Sequence, residues 1–270
     1  MGTTQGPGHA AEMAVDAAQE NADLVVALGG DGTVNEVVNG LAGTDTPLGI
    51  LPGGGANVFA RSLGLPRDPI EAAGLLLERI DEKPRRVPLG RIDGRYFAVN
   101  CGVGLDAAIV QRVERRQFAK RLAGDLFFMW SAARTFLAGY DRHGGKLRLR
   151  WGDELEHEMA GAFLVIVQNT SPFTFLGERP MNICPGATLD DGLDLLALDT
   201  LRTSTVVRVA LQTFGSGRHV RSRHVTSARD QRRILVEASE PVPTQADGEF
   251  LGDKQSVQIE SVPDALSLFA

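Results

Sequence analysis

The order of three short patterns constrains this chain most: an apolar run, a cluster of glycines and a helical stretch, occurring twice in quick succession. Asp23-Leu24-Val25-Val26-Ala27-Leu28 reads as a buried strand, Gly29-Gly30-Asp31-Gly32-Thr33 as a turn, and Val34 to Leu41 has apolar positions that suit a helix. Leu48-Gly49-Ile50-Leu51 is a second buried strand, followed by Pro52-Gly53-Gly54-Gly55 and a helical stretch from Phe59 to Leu63. Ala10 to Gln19 and Ile70 to Ile80 are also helical in pattern. Strand, turn and helix repeated in this way imply a parallel sheet covered by helices. Both turns then lie at one sheet edge, the edge at which such folds bind ligands.

Beyond about residue 85 the pattern changes. Tyr96 to Asn100, Leu147 to Trp151, Gly161 to Gln168, Leu193 to Leu198, Ile234 to Ala238 and Ser256 to Ile259 all read as strands. Leu147, Leu149 and Trp151 alternate with Arg148 and Arg150, the signature of a half-exposed antiparallel strand. Helical stretches at Phe118 to Tyr140 and Ser204 to Phe214 interrupt this set. The expected fold is therefore a parallel-sheet α/β domain over residues 1–88 and an antiparallel, β-sandwich-like domain over 89–270. The C-terminal tail can pack back on the first domain.

With 28 Lys and Arg against 34 Asp and Glu, the net charge of −6 argues against a broad nucleic-acid surface. Cys101 and Cys184 stand far apart and form no Cys-x-x-Cys pair, so neither a disulfide framework nor zinc is expected, and a cytoplasmic location is. Met1 to His9 show no signal-peptide pattern. The most apolar window, Leu126 to Leu137, is interrupted by Ser131 and Arg134 and is too short to span a bilayer. His143, His157, His219 and His224 have no metal-ligand spacing and are expected at the surface.

The glycine turns carry the chemistry. Glycines between a strand and a helix let backbone N–H groups approach an anion, and the helix N-terminus adds partial positive charge. In Leu28-Gly29-Gly30-Asp31-Gly32-Thr33-Val34-Asn35-Glu36, Thr33 can cap the helix or donate to phosphate, and Asp31 can hold Mg²⁺ directly or through water. An ordinary tight turn is the other reading. The string is neither a Walker loop nor a Rossmann fingerprint. In the second turn Asn57 can bond phosphate or sugar, or cap the next helix, and Arg61 can neutralise phosphate or pair with a carboxylate.

Five ordered segments resemble the diacylglycerol kinase catalytic family, which includes bacterial lipid kinases and sphingosine kinases. Gly29-Gly30-Asp31-Gly32-Thr33 is intact. Pro52-Gly53-Gly54-Gly55-Ala56-Asn57-Val58-Phe59-Ala60-Arg61 follows the family's second motif, with Gly55 where Thr is usual and Val58 where Asp is frequent. Phe97 to Ala107, Cys184 to Asp194 (through Asp190-Asp191-Gly192) and Gln245-Ala246-Asp247-Gly248-Glu249 are similar to three later segments. Family members usually open with a further strand and helix bearing an Asn-Pro-x-Ser/Gly turn over the nucleotide. Here the sequence starts near Gly6-Pro7-Gly8-His9-Ala10, so the sheet is expected to lack that strand and to bare an edge.

The resemblance implies ATP-dependent phosphorylation of a diacylglycerol-like lipid at the inner membrane surface, with Mg²⁺. It implies nucleotide contacts from Gly29, Gly30, Asp31, Gly32, Thr33, Asn35, Glu36, Gly54, Gly55 and Asn57. It also implies a structural Mg²⁺ on the Asp191 carboxylate and the main-chain oxygens of Thr188 and Leu193, with Asp106 aiding a water network or capping a helix. Asp247 and Glu249, two apart, would share one face of an extended segment, one as base and the other as orienting group. The residues alone also allow an Asp-Gly hairpin turn there and a plain turn at Asp190 to Gly192. Phe118 to Tyr140 reads as a membrane-resting helix or a buried amphipathic one. A nucleotide- or lipid-binding relative without catalysis and a relative of NAD kinases are the alternative functions.

Overall fold

The computed structural model describes residues 2–114 and 145–270. The stretch Phe118 to Tyr140 and His143 lie outside the described residues. The chain opens with α1 (His9–Gln19), β1 (Val25–Gly29), α2 (Asp31–Leu41), β2 (Leu48–Pro52), α3 (Val58–Ser62) and α4 (Pro69–Arg79). β1 and β2 pair in parallel from Val25 opposite Leu48 to Gly29 opposite Pro52. α2 begins at Asp31, so the second half of the first glycine motif is the helix's opening turn and not a loop before it. α4 starts where a short side chain can replace missing helical partners: Asp68 accepts from the amides of Ile70 and Glu71, and Pro69 needs none.

β3 (Arg85–Ile92) and β4 (Arg95–Phe97) form a hairpin, and residue 88 falls inside β3. Then come β5 (Asn100–Gly104), α5 (Leu105–Glu114), β6 (Leu147–Trp151), β7 (His157–Ala162) and β8 (Leu164–Gln168). The strands expected over Tyr96 to Asn100 and Gly161 to Gln168 are each broken in two. Asp247 takes the amides at the first break, and at the second the amide of Phe163 turns to Leu198 O. A small β9 (Thr174–Leu176) and β10 (Arg179–Met181) hairpin precedes β11 (Leu193–Leu198), α6 (Thr203–Thr213), a 3₁₀ turn at Arg218–Arg221 and β12 (Val225–Gln231).

β13 (Arg233–Ala246) and β14 (Glu249–Phe269) are far longer than the runs expected from Ile234 and Ser256. They bind the molecule together. The main sheet has the order β1-β2-β14-β13-β5-β8-β11-β12. β14 crosses from an antiparallel ladder with β13 to a parallel one with β2, where Leu268 lies opposite Leu48. One apolar core, built on Val38, Leu41, Leu48, Leu89 and Leu268, underlies the α/β part. Another, built on Phe97, Leu149, Val167, Leu195, Ile234 and Ile259, fills the β-rich part. His219 is fully buried and not at the surface, because its Nε2 lies 2.7 Å from Ile183 O.

Candidate functional site

The two glycine turns meet backbone to backbone. The amide of Gly53 donates to Gly29 O at 2.7 Å. A Cβ on Gly54 would stand 2.6 Å from the Gly30 Cα, and one on Gly53 would stand 3.2 Å from the Gly29 Cα. Side chains there would force the turns apart. Gly32 and Gly55 differ: a Cβ on either meets nothing within 4 Å. These are the two glycines that the protein's own packing does not demand, and both open to solvent at the end of the parallel strands.

Several residues assigned to nucleotide by sequence have partners within the protein. Asp31 Oδ1 accepts the Val58 amide at 2.6 Å. Burial pushes its carboxyl up, and the amides of Val58, Phe59 and Asn57 hold it down. Asp31 thus caps α3 from the other turn. Asn57 has φ 47° at the start of α3 and makes no side-chain cap. Its Oδ1 accepts from Gly54 N and its Nδ2 donates to Gly54 O, each at 2.9 Å, so it pins the second turn. Glu36 accepts from the amides of Gly8 and Ala10, at 2.8 and 3.0 Å, and so anchors the start of α1. Thr33 packs over Gly29. Arg61 bonds Gly177 O and lies 3.4 Å over the Phe175 ring, tying α3 to the β9–β10 hairpin.

One helical turn beyond Asp31, about 6 Å along α2, lies a second polar cluster. Asp247 and Gly248 form the β13–β14 hairpin turn, with φ 45° and 80°. The extended segment expected there is absent, so Asp247 and Glu249 do not share a strand face. Asp247 Oδ2 accepts from Asn35 Nδ2 and from Ala98 N, both at 2.7 Å, and Oδ1 accepts from Val99 N and Asn100 N, both at 2.9 Å. Four donors match the carboxylate's acceptor sites. Burial raises this carboxyl above its ordinary range, and the amides of Asn100, Ala98 and Val99 and the Asn35 amide oppose the rise.

The cluster reaches outward through Arg95. Its guanidinium donates to Asn35 Oδ1 at 3.0 Å and to the exposed Glu249. Inward, Gln245 Nε2 donates to Asn100 Oδ1 at 3.0 Å and to Asp106 Oδ2 at 2.8 Å. Asp106, in the first turn of α5, is pushed up to about 6 by burial, against the pull of Gln245. Arg95 and Asn39 join this cluster although no sequence motif contains them. Asn39 follows Asn35 by four residues on one helical face and bonds both the N–H and C=O of Tyr96, a spacing that could have flagged it. Arg95 had no local signal.

The expected magnesium loop brings Asp191 and Thr188 together, with Thr188 Oγ1 donating to Asp191 Oδ2 at 3.3 Å. The Thr188 carbonyl faces the Asp191 amide at 3.5 Å, and Leu193 opens β11. A carboxylate and carbonyls are the hard oxygen donors that Mg²⁺ takes. Arg229 already stands beside them, 3.5 Å from Asp191 and 3.3 Å from the buried Asp194. Among the described residues no three His, Cys, Asp or Glu side chains converge as a metal group.

Residues 1–92 match the diacylglycerol kinase catalytic domain, and residues 99–270 match the YegS C-terminal NAD kinase beta sandwich-like domain. A diacylglycerol kinase of Bacillus subtilis is 30% identical over 253 residues, covering 91% of this chain and 77% of that protein. A probable YegS-like lipid kinase of Chromohalobacter salexigens is 33% identical over 190 residues, 69% of this chain and 57% of its own length. In fold, the chain resembles a putative diacylglycerol kinase of Bacillus anthracis with a TM-score of 0.74 at 24% identity, over 98% of this chain and 83% of that one. Two successive domain matches cover nearly the whole sequence, and the chain belongs to the diacylglycerol kinase and YegS-like family of lipid kinases.

Proposed function

We propose that this chain transfers the γ-phosphoryl group of ATP to the hydroxyl of a diacylglycerol-like lipid. The observation that carries the reading is the pair of locked glycine turns, open at Gly32 and Gly55, one helical turn from the Asn35–Asp247 cluster. Free N–H groups at the start of α2 and the helix dipole suit the nucleotide phosphates. Asp31 and Asn57 serve by shaping that cradle. Residues 1–88 hold the nucleotide and residues 89–270 the lipid.

In this reading the lipid oxygen attacks phosphorus, its proton passes to Asp247 and ADP departs. A carboxyl raised by burial is a better proton acceptor than an exposed one. Because both oxygens of Asp247 are fully bonded, Asn35 must yield Oδ2 to the lipid hydroxyl. Glu249 then acts through Arg95, which holds Asn35 by its Oδ1. Mg²⁺, when bound, supplies charge neutralisation for phosphoryl transfer. Asp191 with the main-chain oxygens of Thr188 and Leu193 would hold a structural one. Radiolabelled ATP incubated with a panel of lipid alcohols tests the reading, with Asp247→Asn as control. No label on any lipid, from a chain that binds ATP, favours a binding protein without catalysis.

A further inference from the structure

The strongest unassigned feature lies at the far edge of the sheet, away from the glycine turns. Residues 200–224 contain five arginines and no Asp or Glu, in a chain whose net charge is −6. The fold gathers these arginines. Arg202 precedes α6, Arg208 lies on it, Arg218 and Arg221 are on the 3₁₀ turn, and Arg223 leads into β12. Together with Ser204, Thr205, Gln212 and His224 they line one cavity of about 520 Å³.

Like charges converging on one hollow repel each other and need a reason. Among the described residues, none of the five pairs with a carboxylate, and Arg202, Arg208, Arg218 and Arg221 make no side-chain hydrogen bond. Arg223 donates to His224, whose Nδ1 lies 2.8 Å from Asp199 Oδ1. Elsewhere, Arg85, Arg86, Arg91 and Arg148 all meet carboxylates. Guanidinium forks around hydroxyls are the chemistry that binds phosphate esters.

α6 adds an apolar component. Val207 and Leu211, four apart, share the solvent face next to Ser204 and Arg208 and are 50% and 70% exposed. The opposite face packs Val206 and Val209 against Leu105 and Leu198. A helix with exposed apolar residues beside an arginine cluster matches the boundary of an anionic bilayer, where chains lie beneath phosphates.

We propose that this cavity and the Val207–Leu211 face form a docking site for phosphate-bearing lipid headgroups of an anionic membrane. The choice of a bilayer over a free phosphate ester rests on the lipid-kinase reading and on the two apolar side chains. Docking here is separate from the transfer chemistry, so the two readings fail separately.

The test is sedimentation of the whole chain with phosphatidylcholine vesicles, with and without phosphatidylglycerol, in the absence of nucleotide. An arginine near an anionic surface contributes about fivefold in binding, so R208Q/R218Q should bind the anionic vesicles about 25-fold more weakly. Added salt should erase much of the difference. Leu211→Asn should weaken vesicle binding without altering the melting temperature. Transfer to detergent-dispersed lipid should be unchanged in both variants, since neither touches the Asp247 cluster. Undiminished vesicle binding by R208Q/R218Q overturns the proposal, as does an equal loss in R148Q, a control arginine on β6. Glycerol phosphate bound by the wild type and not by R208Q/R218Q, with vesicle binding unaffected, would make the cavity a soluble-anion site and overturn the membrane assignment.

Discussion

Replacing Asp106 by Asn removes a carboxylate that the fold holds away from water. Its proton affinity rises from 3.8 in the unfolded chain to about 6 in the native protein. The native state therefore binds the proton more tightly, and the stabilising contribution is complete below about pH 3.8. It is lost as pH rises through about 6 and is level above that. The whole span amounts to about 3 kcal/mol, from roughly two units at about 1.4 kcal/mol each. About half has developed by pH 5, so roughly 1.4 kcal/mol remains to be seen between pH 5 and pH 8. Asn keeps an oxygen for the Gln245 amide at 2.8 Å in the parent, but carries no proton to lose. The stability of Asp106→Asn relative to wild type should accordingly grow by about 1.4 kcal/mol over that range, or about 3–6 °C in melting temperature. Paired thermal or guanidinium unfolding at several pH values measures it. Asp31, Asp194 and Asp247 are raised in both proteins, and the difference between the two curves cancels them. A pH-independent gap would refute the assignment of a desolvated Asp106.

Gly54→Ala should cost about 1–3 kcal/mol, because its Cβ strikes the Gly30 backbone, whereas Gly55→Ala should leave the melting temperature unchanged. Calorimetry with Mg-ATP should nevertheless find weaker binding in Gly55→Ala; equal affinity would remove Gly55 from the cradle. Asp31→Ala should lose about 1 kcal/mol in chemical denaturation from the uncapped start of α3. Asp247→Asn turns an amide N–H₂ toward backbone donors and should lose about 1–3 kcal/mol, so its melt must accompany any transfer assay. If Arg229 already neutralises Asp191 and Asp194, Mg²⁺ should raise the melting temperature of Arg229→Met more than that of wild type. Equal responses would count against the loop as a shared cation site.

The legible part of this fold was the part written in short-range pattern. Val25 to Gly29 and Leu48 to Pro52 are apolar runs closed by glycine or proline, and α1, α4 and α6 carry helical spacing. Such preferences arise within a few residues of chain and survive without knowledge of partners. The order of motifs likewise placed Gly29 to Thr33 beside Gly53 to Asn57, because parallel strands bring successive exits to one edge.

Tertiary structure decided what those residues do. Gly30, Gly53 and Gly54 are glycines because one turn packs on the other, and Gly29 because Thr33 packs over it, while a side chain at Gly32 or Gly55 would meet nothing of the protein. Asp31 finds its donor 27 residues away, Glu36 caps a helix that precedes it, and Asp247 closes on Asn35 across 212 residues. β14 reaches twenty-one residues because β13, β3 and β2 each offer it a ladder in turn. The sequence alone determined which groups were available and how each segment would run. Which hydrogen-bond partner each buried group met depended on contacts distant in the chain, and no local pattern encodes those.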